Sequence, residues 1–168
     1  EIAKIEGVDV ILGAQKKGLL LQEVQKIESE RNFGNAKMIL DVEDIEKVSS
    51  VYSAFSSGER TRSFLKVQDG CDYKCSYCTI PKARGKSRNL SIAELVEQAH
   101  QIASLGIKEI VLTGVNIGDF GRTTGESFLE LLKQLNEVEG IERYRISSFE
   151  PNLLTRLIVE CIASVTKF

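Results

Sequence analysis

The stretch FLKVQDGCDYKCSYC, residues 64–78, decides how this chain is read. Residues 64–67 form a strand candidate, and three cysteines follow directly: Cys71, Cys75 and Cys78, in the spacing C-x3-C-x2-C. Three thiolates this close in sequence can ligate three irons of a cubane and leave the fourth iron without a protein ligand. A structural zinc would want a fourth Cys or His nearby. The one histidine, His100, falls inside a helical segment, so zinc with a distant fourth ligand stands as the plainer alternative.

Downstream of the loop, Ser91 and Glu94 form a Ser-x-x-Glu capping box that predicts a helix start. Ile92, Leu95, Val96, Ala99, Ile102 and Ala103 trace the apolar face of that helix, and Gly106 stops it. Residues 109–113 carry Ile110, Val111 and Leu112, a buried strand ending at Gly114. Phe128, Leu131, Leu132, Leu135 and Val138 mark a second helix, closed by Gly140. Residues 144–149 read as a third strand. Pro151 suits the first turn of a third helix with Leu154, Leu157, Ile158, Cys161, Ile162 and Val165 on its face. Strand–helix three times over predicts right-handed crossovers and a parallel sheet, as in the opening part of a (β/α) barrel. The expected fold class is therefore α/β, with an incomplete barrel of parallel strands. In such a barrel, chemistry is done where strands end, and the cysteine loop sits there.

Upstream, residues 8–12 form a short run, apolar but for Asp9, before Gly13, and Leu20, Val24 and Ile27 repeat at helical spacing. Residues 1–31 thus read as the end of an amino-terminal α/β domain. Residues 32–60 read as a linker with room for an edge strand: they hold Gly34, an apolar run at 38–40 and a serine-rich stretch at 53–58. Residues 61–168 are the first part of the barrel. The chain opens without Met and reads as cut from something longer.

Composition bounds the function. The 168 residues are 42% hydrophobic and 27% charged, an ordinary globular balance. The net charge of −2 excludes a polycation, so nucleic-acid contact would need a local patch. No apolar run approaches a membrane span and no signal peptide is visible, so no membrane partner and a cytoplasmic location are expected. Of the four cysteines, three crowd together and Cys161 lies far away, which reads as metal binding rather than a disulfide framework.

The spacing C-x3-C-x2-C, with an aromatic before the last Cys, resembles the radical S-adenosylmethionine (SAM) superfamily. The longer string QDGCDYKCSYCTIPKARGKSRN, residues 68–89, resembles its methylthiotransferases, which insert sulfur and a methyl group into tRNA or a ribosomal protein. The likeness continues through VLTGVNIGDFG (111–121) and RISSFEPN (145–152), and VDVILG (8–13) resembles the end of that family's amino-terminal domain. TGVNIG and GKSRN look most like the branch acting on N6-threonylcarbamoyladenosine beside the tRNA anticodon. The isopentenyladenosine and ribosomal-protein branches are the alternatives, and a zinc-stabilised RNA-binding module is the alternative of another class.

The resemblance implies that Cys71, Cys75 and Cys78 bind a 4Fe–4S cluster. SAM would chelate the open iron and be cleaved by one electron to a 5′-deoxyadenosyl radical. It also implies tRNA as substrate partner, an electron donor such as flavodoxin or ferredoxin, and a second 4Fe–4S cluster in the full-length protein. The family carries that cluster's cysteines in its amino-terminal domain, and no cysteine precedes Cys71 here. The chain is thus expected to hold one cluster and to be inactive alone.

Other residues follow from the same comparison. Tyr77 would lie over the adenine of SAM; otherwise it is an ordinary loop aromatic. A turn with Gly114, Asn116 and Gly118 would let backbone groups approach the amino-acid end of SAM. Ser147, Ser148 and Glu150 would meet its ribose or ammonium; otherwise they cap a helix. Lys74, Lys82, Arg84, Lys86 and Arg88 carry five positive charges with no acid between residues 73 and 93. They would meet tRNA phosphates or balance an anionic cluster, with Arg84, Lys86 and Arg88 the chosen RNA contacts; otherwise they form a solvated loop. Cys161 reads as a small apolar core side chain. Asp69 and Asp72 flank the motif without an assignable role.

Overall fold

The computed structural model describes residues 1–14, 16–32, 39–41, 44–45, 48–49, 51–56 and 61–168. The expectations placed on Gly34, Met38 and Gly58 lie outside the described residues.

The core is a three-stranded parallel sheet of β3 (Arg62–Lys66), β6 (Glu109–Thr113) and β7 (Arg143–Ile146), in the spatial order β3-β6-β7. Its register sets Leu65 beside Leu112 and Leu112 beside Ile146. Val111 and Ile110 are both buried, as a strand covered on two faces requires. Three helices pack against this sheet: α3 (Ile92–Ser104), α4 (Phe128–Asn136) and α5 (Arg156–Ser164). The result is the expected α/β arrangement of a partial barrel, and it is not closed.

Local chemistry explains the helix starts. The Ser91 hydroxyl accepts from the Glu94 N–H while Glu94 Oε2 accepts from the Ser91 N–H at 3.0 Å, which closes the capping box. Ser127 caps α4 by accepting from the Glu130 N–H. The third helix differs from expectation. Pro151 starts only a 3-10 turn, Pro151–Leu153, and α5 begins after Thr155, whose hydroxyl accepts from the Ile158 N–H. Leu154 and Leu157 are 45% and 63% exposed and leave the predicted apolar face; Ile158 is buried, with Cys161 and Ile162 packed against the core.

Both edges of the sheet have partners. Residues 54–56 run antiparallel along β3: Ser56 N–H donates to the Phe64 carbonyl, and Lys66 N–H to the Ala54 carbonyl. On the other side the Tyr144 N–H donates to the Lys167 carbonyl, and Phe168 stacks on the Tyr144 ring at 4.9 Å. The outer edge of the sheet at β7 is therefore partly satisfied.

In the amino-terminal region, β1 (Val10–Leu12) pairs in parallel with β2 (Ile39–Asp41), beside α1 (Leu20–Asn32). On α1, Ile27 is buried, whereas Leu20 and Leu21 are at least half exposed. No helix among the described residues is long and apolar enough to cross a membrane.

Candidate active site

Three strand ends build the site, because β3, β6 and β7 run in one direction and deliver their following loops to one rim. Beyond β3 the chain forms β4 (Gln68–Asp69), the cysteine loop and a short helix α2 (Ile80–Arg84), then returns as β5 (Arg88–Asn89), antiparallel to β4. This two-residue clasp pins both ends of the loop. The Cys71 N–H donates to the Gly85 carbonyl at 3.1 Å and the Cys78 N–H to the Cys75 carbonyl at 3.2 Å. Gly70 has φ 73°, and a Cβ there would run into the Lys86 carbonyl, so the approach of the two arms requires glycine.

Cys71 and Cys78 are half-buried, Cys75 is exposed, and all are free thiols. Burial pushes the Cys71 thiol above its ordinary value; the Tyr73 N–H draws it down, and Asp119, Cys75 and Cys78 push it further up. The three sulfurs thus share one electrostatic neighbourhood. Among the described residues, no three His, Cys, Asp or Glu side chains converge closely enough to hold a metal ion. One tetrahedral ion would draw its sulfurs to about 3.8 Å of one another. A cubane asks for wider spacing, since each cysteine takes a different iron. His100 is exposed on α3.

Gln68 joins the first two strand ends. Its Nε2 donates to Ser87 Oγ at 2.9 Å and to the Gly70 carbonyl at 2.8 Å, while Oε1 accepts from the N–H groups of Val115 at 2.9 Å and Asn116 at 3.0 Å. A Cβ on Gly114 would stand 2.9 Å from that oxygen. The small residue at Gly114 therefore makes room for the Gln68 amide, and the backbone donors expected to face a ligand are already bound.

Beside this turn lies an unusual polar group. Asn116 and Asp119 are each 2% exposed. The Asn116 amide lies beside the Asp119 carboxylate and favours its charge, yet neither amide atom nor either carboxylate oxygen closes a hydrogen bond among the described residues. Asp119 does form an ion pair with Arg122 at 3.0 Å. Burial pushes the Asp119 carboxyl above its ordinary value; Arg122 and Asn116 counter this, and the charges of Asp72 and Glu150 reinforce it. Arg122 also donates to Asp72 Oδ2 at 3.3 Å and so bridges this turn to the cysteine loop.

At the third strand end, the Ser147 hydroxyl donates to the Leu112 carbonyl at 2.9 Å, which commits it to the sheet. Ser148 holds φ 55°, a left-handed conformation uncommon outside glycine, and its carbonyl accepts from the Ile117 N–H at 3.0 Å. Ser148 and Glu150 are exposed at the rim, and Asn152 Nδ2 donates to the Tyr73 hydroxyl on the cysteine loop at 2.8 Å. Glu150 precedes the 3-10 turn without a side-chain cap bond. Tyr77 stands 95% exposed.

The basic loop departs from the sequence reading. Arg88 is 4% exposed; it donates to the Arg84 and Lys86 carbonyls and pairs with Asp69 at 3.4 Å. It is a buried brace and cannot reach a phosphate on the surface. Arg84, though half exposed, also pairs with Asp69, as do Lys17 and Lys66. Burial pushes the Asp69 carboxyl up, but Lys17, the Gly70 N–H, Lys66 and Arg88 together hold it below its ordinary value. Lys86 remains exposed, as do Lys74 and Lys82. Gln68 and Asp119 were not foreseen; both lie inside motifs quoted above, but buried polar side chains leave no periodic trace.

A family model for the radical SAM superfamily matches residues 65–162. The chain belongs to that superfamily, which implies a 4Fe–4S cluster and SAM. It is 36% identical over 165 residues to the threonylcarbamoyladenosine tRNA methylthiotransferase MtaB of Bacillus subtilis (strain 168), covering 96% of this chain and 36% of that protein. It is 34% identical over 167 residues to the MtaB of Aquifex aeolicus (strain VF5), covering 99% of this chain and 40% of that protein. It is 28% identical over 168 residues to the tRNA-2-methylthio-N(6)-dimethylallyladenosine synthase of Trichlorobacter lovleyi, covering 99% of this chain and 37% of that protein. The chain spans roughly a third of the length of the curated relatives it matches.

Proposed function

We propose that this chain is part of a radical SAM methylthiotransferase that modifies an adenosine beside the tRNA anticodon, with N6-threonylcarbamoyladenosine as the base. The observation that carries this reading is the three-thiol loop at the end of β3, in a segment whose relatives include tRNA methylthiotransferases. Over nearly the whole chain, the threonylcarbamoyladenosine enzymes are 36% and 34% identical and a dimethylallyladenosine synthase 28%, which supports the former base.

The donor set suits the group. Cys71, Cys75 and Cys78 would hold the cluster as thiolates, and Tyr77, Asn116, Ser148 and Glu150 would line the place of SAM, with Gly114 shaping the turn. When bound, the cluster and SAM would supply one-electron radical chemistry. The protein's own part is placement. Gln68 locks the cysteine loop to the Asn116 turn, so ligands of the two strand ends keep a fixed spacing. The Asn116 amide, without a hydrogen-bond partner among the described residues, and the Asp119 carboxylate held beside Arg122 would offer hydrogen-bond partners to the polar end of SAM. Exposed Cys75 leaves the loop open to an electron donor such as a flavodoxin or ferredoxin. In this reading the second cluster's ligands come from elsewhere in the full-length protein.

Mass spectrometry of tRNA from a deletion strain tests the reading. Loss of the methylthio group from threonylcarbamoylated adenosine is expected. Loss from isopentenylated adenosine instead would move the chain to the other branch. No loss from either would refute the tRNA assignment.

A further inference from the structure

A cleft of about 610 Å³ opens beside Cys71, walled by Ile45 and Pro81 and ringed by Lys74, Lys82 and Lys86. All three lysines are exposed, and among the described residues none of their ammonium groups has a carboxylate or carbonyl partner. The two arginines of the same loop, by contrast, are spent on Asp69. Asp72 also lines the cleft, but its carboxylate is occupied by the Ser87 N–H at 3.0 Å and by Arg122 at 3.3 Å. What remains, among the described residues, is three lysines without an ion-pair partner around a concavity with an apolar wall, next to a candidate cluster ligand.

We propose that this cleft seats one nucleotide of the substrate RNA strand, with its two flanking phosphates on Lys74, Lys82 and Lys86 and its ribose against Ile45 and Pro81. The proposal rests on the RNA-modifying reading above. Lysine serves phosphate as a compact point charge without fixed geometry. A concavity of this size matches a small-molecule-sized unit, whereas a protein partner needs a broad, flatter face. Among the described lining residues there is no side-chain amide, guanidinium or aromatic ring to read or stack on a base. The contact is therefore to the backbone, positions the strand and carries no sequence preference.

The test uses the cluster-reconstituted full-length protein and fluorescein-labelled RNA heptamers, oligo-U and oligo-A, followed by anisotropy across a salt series. The triple variant Lys74→Gln, Lys82→Gln, Lys86→Gln is expected to bind both oligomers about tenfold more weakly or worse. The slope of log affinity against log salt should fall by about 1.4, the release expected from two single-strand phosphates. Lys133→Gln, an exposed lysine on α4, should change neither quantity. Unchanged cluster absorbance and circular dichroism in the triple variant show that it is folded. Wild-type affinity and slope in that folded variant would overturn the proposal. So would intact RNA binding together with slowed cluster reduction by a flavodoxin, since the cleft would then dock the electron donor. Lost RNA binding alongside tRNA that keeps its methylthio groups in the deletion strain leaves the nucleotide site standing and overturns the methylthiotransferase reading instead.

Discussion

Asp69 and Arg88 face each other across the β4–β5 clasp at 3.4 Å, with side chains only 1% and 4% exposed. They lie at the two ends of the cysteine loop, so their pairing closes it. Arg88 also satisfies the Arg84 and Lys86 carbonyls, which ties the segment after Cys78 back to its beginning.

Removing one partner strands the other as a buried charge. Asp69→Asn is therefore expected to destabilise the fold by about 3 kcal/mol or more. The double variant Asp69→Asn, Arg88→Met should recover part of that loss. Urea unfolding of the three proteins measures the difference; a double variant no better than the single one would show that the charge pairing is not the source of the cost.

The same pair sets an acid dependence. The Asp69 carboxyl lies below its ordinary value of 3.8 in the folded chain. Its stabilisation is complete above that value, and is lost as pH falls through the lower folded value, because the unfolded chain takes up the proton first. Asp119 has the opposite sign. Its folded value is raised, so the charged carboxylate costs stability at neutral pH, and that cost is relieved as pH falls through the raised value. Urea midpoints between pH 7 and pH 3 should therefore fall less steeply for Asp69→Asn than for the parent. Asp119→Asn should be at least as stable as the parent at pH 7, and a clear loss there would contradict the assigned sign.

Gln68→Ala would unpair the buried N–H of Asn116, the half-buried N–H of Val115 and the Ser87 hydroxyl at once. The expected cost is roughly 3 kcal/mol, together with a looser turn at the candidate SAM site. Gln68→Glu keeps the shape but sets an acceptor against the Asp69 and Gly70 carbonyls, so it should not rescue. Thermal unfolding gives the stability, and equilibrium dialysis against SAM gives the effect on the site. Unchanged SAM affinity in a folded Gln68→Ala would separate the clamp from the ligand.

Cluster ligation is tested by single Cys→Ala replacements. After anaerobic reconstitution, Cys71→Ala, Cys75→Ala and Cys78→Ala should each lose most of the iron–sulfur absorbance. Cys161, half-buried against the core on α5, should be dispensable. Loss of the cluster in Cys161→Ala would overturn the ligand set. Colourless protein containing zinc would favour the other metal reading.

Much of this molecule was legible from its residues in order. The helix over 92–104 and the strand over 109–113 follow from a capping box, an apolar period and a glycine stop, signals that each segment carries within itself. The cysteine spacing likewise pointed to the superfamily, because three cysteines in eight positions must share one loop. The helix after Pro151 was read too early, since a 3-10 turn and a Thr155 cap intervene before α5. Only tertiary structure decided the rest. A two-residue clasp has no period to detect, and its partners stand 19 residues apart. Five cations in a row read alike as a list, yet burial beside Asp69 commits Arg88 to the fold and leaves Lys74, Lys82 and Lys86 to solvent. Whether a charged side chain is a brace or a contact depends on the groups that surround it in space. For Gln68, Arg88 and Asp119 those groups come from distant parts of the chain.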